Sequence, residues 1–275
     1  MDARLRVLAL VTNIPGPLAA ATLVRDGAAV VKVEPPQGDA LEAAAPEWCA
    51  AVTSGMEVLR LDLKSAAARE SIAARLAQTD VLVTAMRATA LERLGLSRAK
   101  LRENFPRLCH VAISGEAAPN DDRAGHDLTY QAQAGLLDPP AMPRSVFADL
   151  FAAERAVAAA YQLLFERERS GSGGYAQIAI AQGASELADA LRFGLTTADG
   201  PLGGRLPIYR MYETRDGWIA LAALEPHFRE NLARALQLQS LDAQALSACF
   251  AEHANAYWED LAQRYDLPLC AVQSL

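Results

Sequence analysis

The N-terminal segment constrains the fold most strongly, because it alternates between strand-like and helix-like patterns. Leu5–Val11 is an apolar run of strand length, and Asn13–Pro17 interrupts it with turn-forming residues. A helical run over Leu18–Arg25 ends at Asp26-Gly27, and the apolar run Ala29–Val33 follows. This order of strand, turn, helix, glycine and strand is typical of a βαβ unit and predicts a parallel sheet with crossover helices.

The same alternation continues to about residue 200. Apolar runs predict further strands, and the periodic runs between them predict helices. The predicted strands are Leu59–Leu63, Asp80–Thr84, Leu108–Ser114 and Ala176–Ala181, and the predicted helices are Ser65–Ala77, Leu91–Gly95, Ser97–Asn104 and Leu150–Glu166. We therefore predict an α/β fold whose large domain, residues 1–200, is Rossmann-like and doubly wound.

The pattern changes after residue 200, where Gly203-Gly204 is typical of a linker. Two short apolar runs on either side of Arg215-Asp216-Gly217 predict a hairpin. Three helical runs follow it. The hairpin strands are Ile208–Glu213 and Trp218–Ala223, and the helices are Pro226–Leu236, Asp242–Ala254 and Ala256–Tyr265. Residues 201–275 are therefore predicted to form a small α+β domain.

Composition excludes several classes of protein. The 275 residues carry a formal net charge of −7 and contain no basic block, which argues against nucleic acid as a partner. No apolar run reaches the length of a membrane span, and the N-terminus lacks the layout of a signal peptide. The four cysteines and four histidines are dispersed, so we expect no metal site and reduced thiols in a cytoplasmic protein.

The first turn of the βαβ unit argues against a nicotinamide cofactor as its ligand. Glu34 follows the second strand, where an acidic residue contacts the ribose in dinucleotide-binding folds. The turn before it, however, is Ile14-Pro15-Gly16-Pro17 and lacks the spacing GxGxxG. We therefore reject an NAD-binding function.

Two ionisable residues stand directly before helix-like runs. His126 lies in Gly125–Tyr130, and Asp149 lies in Ala148-Asp149-Leu150. An ionisable group at a helix N-terminus is held near its positive end, and two such groups can face one substrate atom from opposite sides. This arrangement can remove a proton from a carbon and return it. A structural role remains open for both, since Asp149 is a good N-cap and His126 suits a loop or cap.

Several runs together resemble family III CoA-transferases, the CaiB/BaiF family, along essentially the whole chain. The specific runs are GAAVVKVEPP, LERLGLS and GHDLTYQAQAG. Within that family the chain most resembles the 2-methylacyl-CoA racemase branch. The resemblance to that branch depends on His126, on Asp149 in its ADL motif, and on Glu225 in Leu224–Phe228.

The resemblance implies an enzyme of fatty acid metabolism that acts on an acyl-CoA thioester and has no tightly bound cofactor. In a racemase, His126 and Asp149 would exchange the α-proton on opposite faces, and Glu225 would orient His126. In a transferase, Asp149 would instead attack the thioester and form a mixed anhydride. The resemblance also implies a homodimer with Glu225 supplied in trans. The CoA contacts that we expect are Lys32, Arg60, Arg87 and Tyr130.

The chain departs from the family pattern at three places. Family members are usually longer and return from the small domain to the large one, so we expect incomplete interlocking or a partner chain that replaces the return segment. Before the LDLK run only Arg60 is basic, whereas Glu57 is acidic. Phe151–Glu154 stands where the family has glycines. These departures favour a third hypothesis, a catalytically weakened paralogue that binds an acyl-CoA or a partner.

Overall fold

A computed structural model describes residues 4–273, and its larger part is built on a six-stranded parallel sheet. The strands are β1 Arg6–Leu10, β2 Ala29–Glu34, β3 Glu57–Arg60, β4 Val81–Thr84, β5 Cys109–Ser114 and β6 Tyr175–Ala179. Their order across the sheet is β3-β2-β1-β4-β5-β6. This is the order of a doubly wound Rossmann-like fold, so the predicted fold class is confirmed.

Helices connect these strands on both faces of the sheet. They are α1 Pro15–Arg25, α2 Ala40–Ala44, α3 Pro46–Thr53, α4 Ala66–Leu76, α5 Ala88–Arg93, α6 Arg98–Asn104, α7 Asp127–Ala134, α8 Phe147–Ser170 and α9 Ile180–Leu187. Among residues 4–273, no helix is both long enough and apolar enough to cross a bilayer.

Alternate residues of the strands supply two separate cores. Val7 and Ala9 of β1 pack with α1 and the alanine-rich face of α8, where Ala152, Ala156 and Ala160 are buried. Leu8 and Leu10 point to the other face and pack with residues of α4 and α6. Because successive residues of a strand face opposite sides, the continuous apolar run of β1 is what a sheet buried on both faces requires.

The second compact unit begins at Asp189. Its elements are α10 Asp189–Arg192, β7 Tyr209–Glu213, β8 Trp218–Ala222, α11 Pro226–Leu236, α12 Ala243–Phe250, α13 Asn255–Tyr265 and β9 Leu269–Ala271. The hairpin forms as predicted, with Glu213 opposite Trp218, and β9 adds a third antiparallel strand. Its core includes Phe250, whose ring lies 5.0 Å from that of Trp258, edge to face.

The division between the two units lies at Ala188/Asp189, before the predicted boundary at residue 200. Local hydrogen bonds explain the difference. The backbone N–H of Leu202 donates to the carbonyl of Leu195, and that of Gly200 donates to the carbonyl of Thr197. The segment before residue 200 therefore folds onto the start of the second unit, and Gly203-Gly204 lies within a π-type turn over Pro201–Arg205.

Strands β3 and β6 differ from the sequence prediction for local reasons, and β9 has no counterpart in that prediction. β3 begins at Glu57, because its pairing with β2 includes Val58 as well as Leu59. The strand therefore ends before the predicted Leu59–Leu63 run is complete. The predicted strand Ala176–Ala181 gives way to a helix at Ile180. β9 is only three residues long, too short for a sequence pattern to indicate.

Lys32 forms a fully buried ionic triad beside the core. Its Nζ lies 2.7 Å from Glu34 Oε1 and 2.6 Å from Asp39 Oδ2. Burial opposes the charge of Lys32, but the hydrogen bonds and charges of Asp39 and Glu34 outweigh burial and raise the pKa of Lys32. Asp39 also accepts a hydrogen bond from the backbone N–H of Asn13, so the triad fixes the chain just after β1.

We predict that Lys32→Met lowers the free energy of unfolding by about 3–5 kcal/mol, because it leaves two buried carboxylates without their cation. Urea unfolding of the full chain measures this change. The exposed Lys64 is the control, and Lys64→Met should change stability by no more than about 0.5 kcal/mol. Equal effects of the two substitutions would contradict the structural role of the triad.

Candidate active site

A cavity of about 260 Å³ opens at the carboxyl ends of the central strands. Thr12 and Asn13 follow β1 and line one side of it, whereas Ala85 and Arg87 follow β4 and line the other. The strand order reverses between β1 and β4, and connections leaving in opposite directions open a crevice at such a switch point. We call this the central cavity.

His126 and Asp149 both line the central cavity. His126 is the N-cap residue of α7, with extended backbone, and is exposed. The Thr129 hydroxyl accepts a hydrogen bond from the backbone N–H of His126 at 3.1 Å and lies 2.7 Å from its carbonyl. The backbone of His126 is thereby fixed by Thr129.

Asp149 lies in the first turn of α8, three residues after the N-cap Val146, so it is not itself the N-cap. Its carboxyl is buried and accepts no hydrogen bond from another residue within 4–273. Burial, and next the negative charge of Asp127, raise the pKa of Asp149 from 3.8 to about 7. A carboxyl with this pKa is present in both protonation states near neutral pH, which suits a general acid and base.

Asp127 connects the two helix starts and is a residue that the sequence analysis missed. Its Oδ1 accepts a hydrogen bond from the backbone N–H of Asp149 at 3.1 Å, and its Oδ2 accepts one from Gln131 Nε2 at 2.5 Å. Gln131 also donates to the carbonyl of Ser145 at 3.3 Å. The signal in the sequence was the spacing of Asp127 and Gln131, which places them on one face of α7.

Two further cavities adjoin the central one. The Met142 cavity, about 510 Å³, shares Asn13, His126 and Asp149 with it and is lined mainly by apolar residues. These apolar residues are Ile14, Ala40, Leu41, Ala44, Leu128, Met142, Pro143 and Val146. His126 and Asp149 therefore lie between the central cavity and the Met142 cavity.

The Lys64 cavity, about 770 Å³, shares Thr12 and Met86 with the central cavity. It lies at the carboxyl ends of β1, β2 and β3, and three basic side chains line it. These are Lys64, Arg69 and Arg93, which the sequence analysis did not select. The arrangement can accept an extended ligand with an anionic end.

The predicted CoA contacts are placed in different surroundings. Arg87 and Tyr130 line the central cavity. Arg60 is half-exposed, but its guanidinium is paired with Glu42 at 2.5 Å and with Glu34 at 3.5 Å. Lys32 is fully buried in its triad and offers no surface to a ligand, so the structure gives it a structural role, contrary to the prediction.

Glu225 belongs to the second unit, where it is the N-cap residue of α11. It is exposed, and its carboxylate has no hydrogen-bond or ion-pair partner within the described part of the chain. Phe151–Glu154, which stands where the family has glycines, lines neither the central cavity nor the Met142 cavity. Ala152 and Ala153 are buried in the core beneath the sheet, and Phe151 packs toward Gly183.

The model of CoA-transferase family III matches residues 3–275. The chain belongs to this family. The resemblance inferred from the sequence motifs is thereby confirmed, and the family comprises enzymes that act on acyl-CoA thioesters.

Curated relatives include both reaction types. The alpha-methylacyl-CoA racemase of Mus musculus is 29% identical over 97% of this chain and 73% of its own length. The succinyl-CoA:mesaconate CoA-transferase of Haloarcula hispanica is 27% identical over 87% of this chain and 68% of its own. Among solved structures, the hypothetical protein Rv3272 of Mycobacterium tuberculosis has a TM-score of 0.83 at 25% identity, covering 98% of this chain and 84% of that one.

We predict that Asp149→Asn stabilises the protein increasingly as pH rises. The folded state holds the proton of Asp149 more tightly than the unfolded chain does, so this carboxyl costs stability as pH increases from about 4 to about 7. The gain in unfolding free energy from Asp149→Asn should be larger at pH 8 than at pH 5. The first pH lies about one unit above the pKa of Asp149, and the second lies about two units below it.

Urea unfolding at the two pH values measures the gain. Asp138→Asn, at an exposed carboxylate, is the control and should show no such trend. A gain from Asp149→Asn that is the same at both pH values would contradict a raised pKa.

Proposed function

We propose that the chain catalyses α-proton transfer on a 2-methylacyl-CoA, with His126 and Asp149 as the acid–base pair. The observation that carries this proposal is their position at the starts of two different helices on the lining of one cavity. A pKa of about 7 for Asp149 supports it, because one carboxyl can then both take and return a proton at neutral pH.

The thioester carbonyl acidifies the neighbouring C–H bond. In one direction ionised Asp149 takes the proton, the electron pair of the C–H bond moves into the enolate, and His126 in its protonated form returns a proton from the other face. In the reverse direction the two residues exchange roles. The N-terminus of α8, at which Asp149 lies, adds a favourable field for the enolate charge.

The three adjoining cavities support a path for an extended thioester. The nucleotide end of CoA would lie in the Lys64 cavity, near Lys64, Arg69 and Arg93, whose charges suit phosphates. The thioester would lie in the central cavity, with Arg87 near the arm that leads to it, and the branched acyl group in the apolar Met142 cavity. We propose no tightly bound cofactor, because the chemistry needs only the thioester and the two ionisable groups.

A transferase reaction is the second candidate, and the free carboxyl of Asp149 favours it. Because no described residue donates to this carboxyl, its oxygens are available to attack the thioester carbon, expelling the CoA thiolate and leaving an acyl anhydride on Asp149. The Haloarcula relative is named as a transferase. Trapping of an acyl group on Asp149 by hydroxylamine would support this reaction.

A catalytically weakened paralogue is the third candidate. The pairing of Arg60 with Glu34 and Glu42 favours it, since this removes the one basic residue before the LDLK run from phosphate binding. Binding of an acyl-CoA with neither α-proton exchange nor acyl transfer would support this third candidate.

We predict that the protein converts one enantiomer of a 2-methylacyl-CoA into the other with uptake of deuterium from solvent, and that both His126→Ala and Asp149→Ala lower the rate of inversion by roughly 100- to 10,000-fold. Inversion removes the hydrogen on one face of the α-carbon and returns one on the other, so both residues are needed for it. Proton NMR in D2O measures deuterium uptake, and chiral chromatography of the hydrolysed acid measures inversion.

Asp138→Ala, at an exposed carboxylate outside the three cavities, is the matched control and should keep the exchange rate. Acyl transfer measured in the same proteins separates the two reactions, because only racemisation requires His126. Inversion at the full rate in His126→Ala would contradict the two-base mechanism.

We also propose a homodimer in which Glu225 of the partner subunit approaches His126. The unpartnered, exposed carboxylate of Glu225 supports this proposal, together with the family resemblance. We predict that a mixture of Glu225→Ala and His126→Ala chains, each inactive alone, recovers partial exchange activity through heterodimers. Light scattering and activity of the mixture check it, and a fully active monomer would contradict it.

A further inference from the structure

Tyr130 presents to the central cavity a hydroxyl that no other described residue, within 4–273, bonds. Its side chain is 3% exposed and lines the cavity together with His126 and Asp149. The hydroxyl makes no hydrogen bond to another residue within 4–273. The hydroxyl is also not fully buried. In that range, the fully buried polar side-chain atoms without a partner are His110 Nδ1 and Arg167 Nε, and the Tyr130 hydroxyl is not among them. Tyr130 is therefore a donor that faces the cavity.

Two glycines hold this hydroxyl in place. A Cβ atom at Gly115 or at Gly125 would collide with the Tyr130 hydroxyl oxygen. Neither glycine has the positive φ that would itself require glycine. The absence of a side chain at these positions is therefore explained by the close approach of Tyr130, whose hydroxyl packs directly against the backbone of both glycines.

The surroundings keep the hydroxyl protonated. Burial, and next the charges of Glu116 and Asp149, raise the pKa of Tyr130, whereas Arg87 opposes this rise. The phenol therefore remains a hydrogen-bond donor across the neutral range. A donor is needed in this cavity, since the backbone N–H of Asp149 is already bonded to Asp127 and is not free for a substrate oxygen.

We propose that Tyr130 is a catalytic residue that donates a hydrogen bond to the thioester oxygen as negative charge develops on it. This inference rests on the proposed α-proton transfer, in which the carbonyl oxygen becomes an enolate oxygen. The donor is positioned before the reaction by Gly115 and Gly125, so it stabilises the enolate without reorganisation. Its contribution is greater for the charged oxygen than for the neutral thioester.

Tyr130→Phe tests the inference, because it removes only the hydroxyl and keeps the ring. We expect kcat for α-proton exchange to fall by roughly 100-fold, as for loss of one oxyanion donor. KM should rise by no more than about fivefold, the effect of one neutral hydrogen bond, and the melting temperature should change little. Tyr161→Phe is the matched control, since its hydroxyl bonds to Asp26 outside the cavity, and it should keep kcat. An unchanged kcat in Tyr130→Phe would overturn the inference.

Gly115→Ala gives an independent test of whether the packing of the Tyr130 hydroxyl against Gly115 matters for catalysis. Its added methyl group would displace the hydroxyl, so it should lower kcat in the wild-type background. In the Tyr130→Phe background the hydroxyl is absent, and Gly115→Ala should lower kcat little further. Independent, multiplicative losses would show that the glycine acts by another route and would overturn the inference.

A binding experiment separates this inference from the proposed function. If the wild-type protein exchanges no α-proton, the proposed function fails, yet the donor can still be tested with calorimetry. The probes are isobutyryl-CoA and the S-isobutyl thioether of CoA, which lacks the carbonyl. Tyr130→Phe should weaken binding of the thioester by about fivefold, the effect of one neutral hydrogen bond, and leave the thioether unaffected. Equal changes for both probes would overturn the role of Tyr130 as a carbonyl donor.

Discussion

The reversal of strand order between β1 and β4 is the constraint on which the rest of the large unit depends. Parallel strands need crossover helices, and those after β1 and β4 leave toward opposite sides of the sheet. Their carboxyl ends therefore cannot be covered by the same connection, and the central cavity opens there. α7 and α8 close its side because the small residues of α8 let this helix pack tightly on the sheet.

Asp127 then determines how the two candidate catalytic residues are placed. By accepting hydrogen bonds from Gln131 within α7 and from the backbone of Asp149 in α8, one carboxylate fixes the start of one helix against the start of the other. Its negative charge also adds to burial in raising the pKa of Asp149. Asp127 therefore affects both the position of Asp149 and its pKa. Removing the carboxylate of Asp127 would change both at once.

The sequence predicted those features that depend on local pattern. The order of β1, α1 and β2 followed from apolar runs and Asp26-Gly27, and the hairpin followed from Arg215–Gly217. It did not predict that Lys32 would be buried, because a lysine in an apolar strand becomes stable only when Asp39 folds back to meet it, a non-local event. The pairing of Arg60 with Glu42 is likewise non-local, and no sequence pattern indicates it.

Lys32 and Asp149 are two buried ionisable side chains in different surroundings, and this difference distinguishes the candidate active site from the core. Lys32 is fully enclosed, and both of its carboxylate partners lie within hydrogen-bond distance, as stability requires of a buried ion. Asp149 is buried beside a like charge, and no residue in the described range 4–273 donates a hydrogen bond to its carboxyl, an arrangement that lowers stability at neutral pH. A protein that pairs one buried charge with two carboxylates, and leaves another carboxyl facing a cavity without a donor from the described residues, retains the second at a cost to folding. Such a departure from local rules is expected where a side chain must exchange protons with a ligand.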